Sequence, residues 1–367
     1  MTKKSHIPLA TALFALLLLH GCSKMVDFDT DEIPNQMVLN ALPSEGNRMF
    51  ANFSQSRFFL DTNAGAALLS PQLLLTVYNN LGTNVYTPDS VSRTNYFFPY
   101  TPVGGDSLQL VIHTGGNVVK ADTKVPKALQ TSGFMTVHSW DYPSQSGSDT
   151  VLNICFIQVK VADHADESNY YYIRLTERDS GLCYRKYRQE YDTIDTVYNN
   201  MYFLCTDADL VSPDVLITPP VLQLPQGYSI YDRIICSDAR FNGTNKAFTI
   251  MLPILVDTNE APGYKHEFVF HVESIRPERI KYLLDVANAT SLTQMFAEPT
   301  GIYSNVTVNG EQGLGLFSGF SHSKFPFTIE PWPYPENRSN DTKSTSGHEL
   351  FDAALDFYRF KTQRDTR

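Results

Sequence analysis

The sequence predicts a mainly β fold, with an N-terminal immunoglobulin-like β-sandwich followed by a second, larger β-sandwich-like domain that contains one helix. Aromatic residues make up 12 % of the chain, with 20 Tyr and 23 Phe, and these residue types favour strands. Short runs of alternating apolar and polar residues recur along the chain, and turn-forming residues separate them. The length of 367 residues indicates about two domains.

The immunoglobulin-like sandwich is predicted over residues 33–126. Leu108, Leu110 and Ile112 share one face of a strand, and the turn at residues 114–117 leads from it into a strand that Pro126 ends. Short strands at this spacing are typical of an immunoglobulin-like sandwich, although the Cys…Trp…Cys pattern of true immunoglobulin domains is absent. The predicted strands cover residues 37–42, 48–54, 73–78, 95–98, 108–113 and 118–125.

The second β-rich domain is predicted over residues 134–367, after a joint at residues 127–133. Residues 180–200 are charged and rich in tyrosine, which indicates an insertion between strands. The terminal stretch at residues 350–360 fits either a helix or a strand. The predicted strands cover residues 154–162, 170–175, 246–255 and 266–274.

One helix is predicted near residues 277–289. Pro277 suits the first helical turn, and the carboxylate of Glu278 suits the positive end of the helix dipole. An apolar stripe with helical spacing then indicates a face that packs against the core. The stripe consists of Ile280, Leu283, Leu284 and Ala287.

The N-terminus is predicted to be a lipoprotein signal peptide, residues 1–21. Lys3 and Lys4 precede an apolar segment at residues 7–19, which is too short to be a stable membrane span. Residues 19–22 read Leu-His-Gly-Cys, the pattern of a bacterial lipobox, so Cys22 is the expected lipid attachment site. His20 is an unusual spacer, and ordinary secretion with a free Cys22 thiol is the alternative.

The charge of the chain excludes a nucleic-acid partner. The formal net charge is −10, and removal of Lys3 and Lys4 makes it −12 (−10 − 2). No basic stripe is present. Residues 22–32 form an acidic tether, which resembles the signal that sends lipoproteins to the cell surface in Bacteroidetes.

Four further cysteines permit two disulfides in an exported protein. Cys183 and Cys205 flank the polar residues 184–200 and are the predicted pair, with buried free thiols as the alternative. No Cys-x-x-Cys and no His-Glu-x-x-His occurs, so no metal site and no cofactor is predicted. No catalytic constellation is identified either.

Three aromatic runs are the candidate binding residues, because exposed aromatic rings stack on sugars or anchor protein interfaces. We expect Tyr96, Tyr171, Trp332 and Tyr334 to contribute to such a face. Core packing is the alternative for most of these rings, because strand alternation places at least one residue of each triplet inside.

A glycine-dense stretch, residues 296–317, follows the predicted helix. Asn309-Gly310 predicts a turn, and Gly313 and Gly315 indicate close backbone approach. The pattern Gly-x-Gly alone does not make a phosphate-binding loop. We expect this stretch to fold against the second sheet.

Taken in order, four features resemble a known family: the lipobox with residues 24–29, the strand at 37–42, the strand pair at 108–126, and the helix with residues 296–317. The chain is similar to the Bacteroidetes outer-membrane lipoproteins called domain of unknown function 4249, often encoded beside TonB-dependent receptors. The resemblance implies a lipid-anchored protein of the outer membrane, at the cell surface. It carries over no catalytic residue.

The hypothesis is therefore a non-enzymatic outer-membrane lipoprotein that acts as an accessory or ligand-binding partner of a TonB-dependent nutrient receptor. The expected ligand is a small nutrient, a glycan or a peptide. Two alternatives stay open, a structural or adhesive surface protein such as a pilus-type subunit, and a glycan or peptide hydrolase. A pilus-type subunit would exchange a donor strand, and a hydrolase would need acids that converge in a cleft.

Overall fold

The computed structural model describes residues 36–56, 70–143, 149–185, 190–206, 221–239, 241–256, 264–289, 301–329, 352–357 and 360–361. The predicted signal peptide, Cys22 and the acidic tether lie outside the described residues, as do Trp332 and Tyr334. The prediction of a mainly β chain with sandwich-like packing is confirmed, because the described residues form four antiparallel-rich sheets.

The first sandwich consists of two sheets. One has the strand order β22-β1-β2-β6-β5 and the other the order β21-β20-β8-β7-β3-β4. All six strands predicted in this region are confirmed to within a few residues. The strands are β1 Met37–Ala41, β2 Phe50–Gln55, β3 Gln72–Asn79, β4 Gly82–Tyr86, β5 Ser90–Ser92, β6 Asn95–Phe97, β7 Ser107–Thr114, β8 Asn117–Lys124, β20 Thr307–Val308, β21 Glu311–Gln312 and β22 Leu314–Phe317.

The core of the first sandwich lies between these two sheets, because alternate residues of each strand point inward. Phe53, Leu75 and Leu110 are fully buried, while the residues between them along the strands are partly exposed. Val306 and Phe317, from the glycine-dense stretch, belong to the same core cluster.

The prediction that the glycine-dense stretch folds against the second sheet is wrong. β22 pairs in parallel with β1, and β20 pairs with β8, so both strands complete the first sandwich. The predicted turn at Asn309-Gly310 is present, with φ of 53° and 92°, as a two-residue hairpin loop between β20 and β21 requires. The sequence pattern predicted the turn correctly, because a turn depends on neighbouring residues. It did not predict the sheet, because β22 pairs with β1, a strand that most of the chain separates from it.

The second sandwich has one sheet in the order β15-β16-β14-β18-β10-β9, and another in the order β12-β11-β19-β23 with β13 and β17 also paired to β11. β9 begins at Gln130, so that residues 125–129 separate it from β8. The strands are β9 Gln130–Pro143, β10 Asp149–Ala162, β11 Tyr170–Arg185, β12 Glu190–Asp195, β13 Asn199–Met201, β14 Phe203–Thr206, β15 Leu222–Gln223, β16 Tyr228–Tyr231, β17 Ile234–Ser237, β18 Asn245–Val256, β19 Lys265–Ile275 and β23 Phe320–Ile329.

The core of the second sandwich again follows the period of two. Ile157 and Val159 of β10 face Ile173 and Leu175 of β11, and all four belong to one buried cluster. The expectation of an insertion at residues 180–200 is corrected in part. β11 continues to Arg185 and pairs with β12, with Ser180 opposite Asp195, so much of this polar stretch is a hairpin.

The predicted helix is confirmed as α1, Pro277–Ala289. Ile280 is buried, and Leu283 and Leu284 pack with it against Ile235 and Ile275 on the outside of the second sandwich. The C-terminal stretch, open to both interpretations from sequence, is helical at residues 352–357, where Phe357 packs on the sheet that contains β14. Among the described residues, no helix combines the length and apolarity needed to cross a bilayer.

Candidate functional site

Four strands of the first sandwich end their sheets, and β4 and β5 are two of them. Within the described part of the chain, β4 pairs only with β3, and β5 pairs only with β6. The outer backbone groups of both strands are therefore available to another strand, since a sheet edge leaves a row of N–H and C=O groups unpaired. A connection of three residues, 87–89, joins the two strands.

Both edge strands expose apolar side chains. Leu81 in the turn before β4 is 92 % exposed, Val85 of β4 is 60 % exposed, and Val91 of β5 is 58 % exposed. Natural sheet edges are usually protected by lysine, by proline, by an inward-pointing charge or by being very short. Neither Gly82–Tyr86 nor Ser90–Ser92 contains a charged residue or a proline, but β5 is short and Pro88, Asp89 and Arg93 flank it, so β4 is the less protected edge.

A groove lies beside β5 and the connection that follows β4, and we call it the edge groove. Its volume is about 320 Å³. The start of β3 forms one wall, and β5 and β6 form the other, where Val91 lies opposite Tyr96 in the register. The edge groove is lined by Pro71, Gln72, Leu73, Leu74, Thr87, Pro88, Val91 and Tyr96.

Tyr96 is one of three polar side chains that line this mainly apolar groove, with Gln72 and Thr87. Its ring is half-buried, and burial raises the pKa of its phenol above the ordinary value of 10.0. The hydroxyl therefore keeps its proton at neutral pH. The prediction that Tyr96 belongs to a binding face agrees with its position in the groove wall, and the binding itself stays a prediction.

An aromatic patch lies on the outer side of the same sheet. The ring of exposed Phe50 lies 5.8 Å from the ring of half-buried Phe97, and the guanidinium of Arg48 lies 5.7 Å from the Phe97 ring. Arg48 also donates a hydrogen bond of 3.1 Å to the Phe98 carbonyl and pairs with Asp89. Aromatic and arginine side chains are the types that dominate the energy of protein interfaces.

The prediction for Tyr171 is wrong. Tyr171 is 1 % exposed and lies in the core of the second sandwich, where its ring stacks on Phe241 at 5.7 Å and its hydroxyl donates to Asp163. Its place in the alternation of β11 puts it on the same face as Ile173 and Leu175. A buried ring cannot contact a partner, so Tyr171 serves packing.

The predicted disulfide stays a prediction. Cys205 is buried in β14, with its Sγ 3.5 Å from the Thr249 carbonyl oxygen. Cys183 falls near the end of β11 in the other sheet, and its side chain lies outside the described part of the chain. Cys155 and Cys236 are buried thiols, and burial raises the pKa of both, for Cys236 to about 12.

The edge groove escaped the sequence interpretation because β4 and β5 are short. The signal for β4 was present, since Asn79-Asn80-Leu81-Gly82 is a turn and Val85-Tyr86 follows it with β-forming residues. No local sequence pattern shows that β4 and β5 lie at sheet edges, because the edge position of a strand depends on how all the strands pair.

The fold and the site together define a mainly β protein of two sandwiches with an exposed, uncharged sheet edge. The chain belongs to the family described as a domain of unknown function (DUF4249), whose family model matches residues 23–325. This match covers most of the chain and confirms the family resemblance drawn from the sequence motifs. No curated protein matches the chain in sequence.

Proposed function

We propose that this protein is a non-enzymatic lipoprotein, anchored through Cys22 at the outer-membrane surface, that serves as an accessory partner of a TonB-dependent nutrient receptor. The observation that supports a partner role is the pair of uncharged edges, β4 and β5, with exposed Leu81, Val85 and Val91. The membrane address rests on the lipobox sequence that ends at Cys22.

An extended segment of the partner would add to one of these edges as a further strand. In this mode of recognition, backbone hydrogen bonds supply affinity and pockets beside the edge select the side chains. The edge groove supplies such a pocket, with apolar walls and the Tyr96 hydroxyl as a hydrogen-bond group. An apolar or aromatic side chain of the partner fits this lining best.

The same edges are compatible with a second function, a structural subunit that adds a strand from another copy of this chain. A pilus-type assembly of this kind would produce homopolymers, whereas an accessory protein would produce a complex with the receptor. The two functions are separated by which protein is recovered with the chain.

The anchor is tested by the Cys22→Ala variant. Acylation would supply several buried methylenes at about 0.8 kcal/mol each, so loss of the thiol should release the protein from the membrane fraction. Sedimentation after a salt wash measures this. A variant that still sediments with the outer membrane would contradict lipid anchoring at Cys22.

The partner is tested by whether a neighbouring gene encodes a TonB-dependent receptor and, where it does, by co-purification of that receptor with the chain. The Val85→Lys and Val91→Lys variants place a charge on each edge and should reduce receptor recovery at least about tenfold, because an edge lysine opposes strand addition. Val103→Lys is the matched control, since Val103 is 57 % exposed in a loop of the same sandwich. Equal recovery with all three variants would contradict docking at this edge, and recovery of the chain alone as a polymer would favour the structural function.

A further inference from the structure

Three side chains that can bind a metal ion meet at one end of the second sandwich. Glu177 and Asp179 are two positions apart on β11, and His266 lies on β19 directly opposite Asp179 in the register. All three belong to the core-facing side of their strands, because Leu175 and Phe268 on the same faces are fully buried. The sheet register therefore brings two carboxylates and one imidazole together.

The distances between these groups suit a shared ion. His266 Nδ1 lies 2.8 Å from Asp179 Oδ1. One ligand atom from each of Glu177, Asp179 and His266 lies within 4.8 Å of the others. Ligand bonds to zinc measure about 2.0–2.2 Å, which places neighbouring ligand atoms about 3–4 Å apart. Small rotations of the side chains are enough to reach that geometry.

Neighbouring groups hold the site in place. The His266 ring packs edge-on to Tyr264 at 5.2 Å and stacks with Phe268 at 6.3 Å. Asp179 is fixed through its backbone, since its N–H donates to Thr196 Oγ1 at 2.7 Å and its carbonyl accepts from Thr196 N–H at 2.9 Å. Ligands that the fold already orients lose less freedom when an ion binds.

The site carries excess negative charge in a poorly solvated position. The side chains of Glu177 and Asp179 are only 20 % and 29 % exposed. The positive charge of Lys361 offsets the charge of these two carboxylates only in part. Lys361 belongs to the helical residues 360–361 near the C-terminus, and its Nζ lies 3.5 Å from Glu177 Oε2. The ammonium of Lys361 therefore supplies part of the positive charge that a bound metal ion would supply at Glu177.

We propose that Glu177, Asp179 and His266 form a binding site for a divalent transition-metal ion, with zinc as the best fit. One imidazole and two carboxylates are ligands that zinc accepts, whereas calcium selects oxygen ligands alone. Three protein ligands leave a position for water, so the ion would exchange with solvent. The site is independent of the edge groove, which lies in the other sandwich.

A zinc titration by isothermal calorimetry tests the site, with ZnCl₂ added to the full chain at neutral pH. We expect the wild type to bind one equivalent and His266→Gln to bind at least about tenfold more weakly. His322→Gln is the matched control. His322 forms a pair with His271 on the outer side of the same sheet, with His322 Nε2 3.4 Å from His271 Nδ1, and its loss should leave zinc affinity unchanged.

Two further variants separate ligand loss from misfolding. Glu177→Gln should weaken zinc binding, while Lys361→Met should tighten it, because the competing positive charge is removed. Opposite effects from two changes at one contact cannot come from a general loss of structure. The proposal is overturned if the wild type does not bind zinc, if His266→Gln binds as well as the wild type, or if only His322→Gln loses affinity.

Discussion

At the scale of single residues, Gly315 has the most restricted position in the glycine-dense stretch. Its φ is +111°, and a Cβ atom built there would lie 1.9 Å from the Leu39 carbonyl oxygen. The backbone of β22 therefore approaches β1 more closely than any side chain allows. This is the close approach that the sequence indicated, but it serves the fold of the first sandwich.

The Gly315→Val variant should be destabilised. A side chain at this φ costs about 1–3 kcal/mol in backbone strain, and the clash with Leu39 adds to it. The midpoint of thermal unfolding measures the effect. Gly301→Val is the control, because a Cβ at Gly301 meets no atom within 4 Å. Equal midpoints for the two variants would refute the close packing of β22 on β1.

His271 is a second residue with a marked environment. It is buried on the outer side of the second sandwich, where its ring stacks on His322 at 5.7 Å and its Nε2 lies 3.0 Å from Thr176 Oγ1. Burial, together with the positive charges of Arg174 and Lys324, lowers the pKa of His271 from 6.5 to about 3. The folded state therefore holds this imidazole neutral.

This environment predicts acid sensitivity. The pKa of His271 is lower in the folded state than in the unfolded chain, so the unfolded chain binds a proton at this imidazole first as the pH decreases. The free energy of unfolding therefore falls as the pH decreases from 6.5 towards 3. Urea unfolding at a series of pH values measures the trend. The His271→Gln variant cannot take up that proton and should show a flatter profile, and an unchanged profile would show that other groups cause the sensitivity.

At the scale of elements, Glu167 connects the turn between β10 and β11 to the chain that leaves β8. Its carboxylate accepts a hydrogen bond of 2.8 Å from Lys124 Nζ and one of 3.1 Å from the Lys127 backbone N–H. Burial acts to raise the pKa of Glu167, but these contacts outweigh it and bring the pKa below its ordinary 4.5. The ionised carboxylate therefore stabilises this connection.

The Glu167→Gln variant should lose about 1.5–3 kcal/mol of stability at neutral pH, the range for hydrogen bonds to charged groups. The difference in stability between the wild type and this variant is fully present above pH 4.5. It should disappear as the pH falls through the lowered pKa of Glu167. Asp166→Asn is the control, because Asp166 is an exposed carboxylate paired with Lys127, and solvent screens such surface pairs so that they contribute little to stability. Equal urea midpoints for both variants would contradict a special role for Glu167.

At the scale of the whole molecule, the first sandwich is built from two distant parts of the chain. The Leu316 N–H donates a hydrogen bond of 3.2 Å to Asn40 Oδ1, and these two residues are 276 positions apart in the sequence. Asn309 Oδ1 accepts a hydrogen bond of 2.8 Å from the Val118 N–H, and Asn305 Oδ1 accepts one of 2.9 Å from the Phe317 N–H. Residues 33–126 therefore contain most of this sandwich but not the strands that complete it.

A fragment of residues 33–126 should consequently fold poorly by itself. Without β20 and β22, the core cluster around Val306 and Phe317 is open to water, and small domains have little stability to spare. A peptide of residues 301–320 added in trans should restore a cooperative unfolding transition, measured by circular dichroism. Cooperative unfolding of the fragment with the same midpoint in the presence and absence of the peptide would show that residues 33–126 are sufficient.

Local patterns in the sequence predicted the local structure. Alternation identified β7 and β10, helical spacing identified α1, and Asn309-Gly310 identified its turn, because each depends only on neighbouring residues and on backbone geometry. The position of the glycine-dense stretch after the helix suggested the wrong sheet, and alternation left open whether Tyr171 is inside. A period of two tells which residues share a face, but not which face is buried.

The sequence by itself determined the β-rich character, the position of most strands and the family of this protein, since these depend on residue type and order. Only the tertiary structure decided which strands end their sheets, that Tyr96 lines a groove while Tyr171 is buried, and that His266 meets Glu177 and Asp179. The physical reason is that strand pairing is fixed by burial summed over the whole chain. Contacts between residues tens or hundreds of positions apart leave no local pattern.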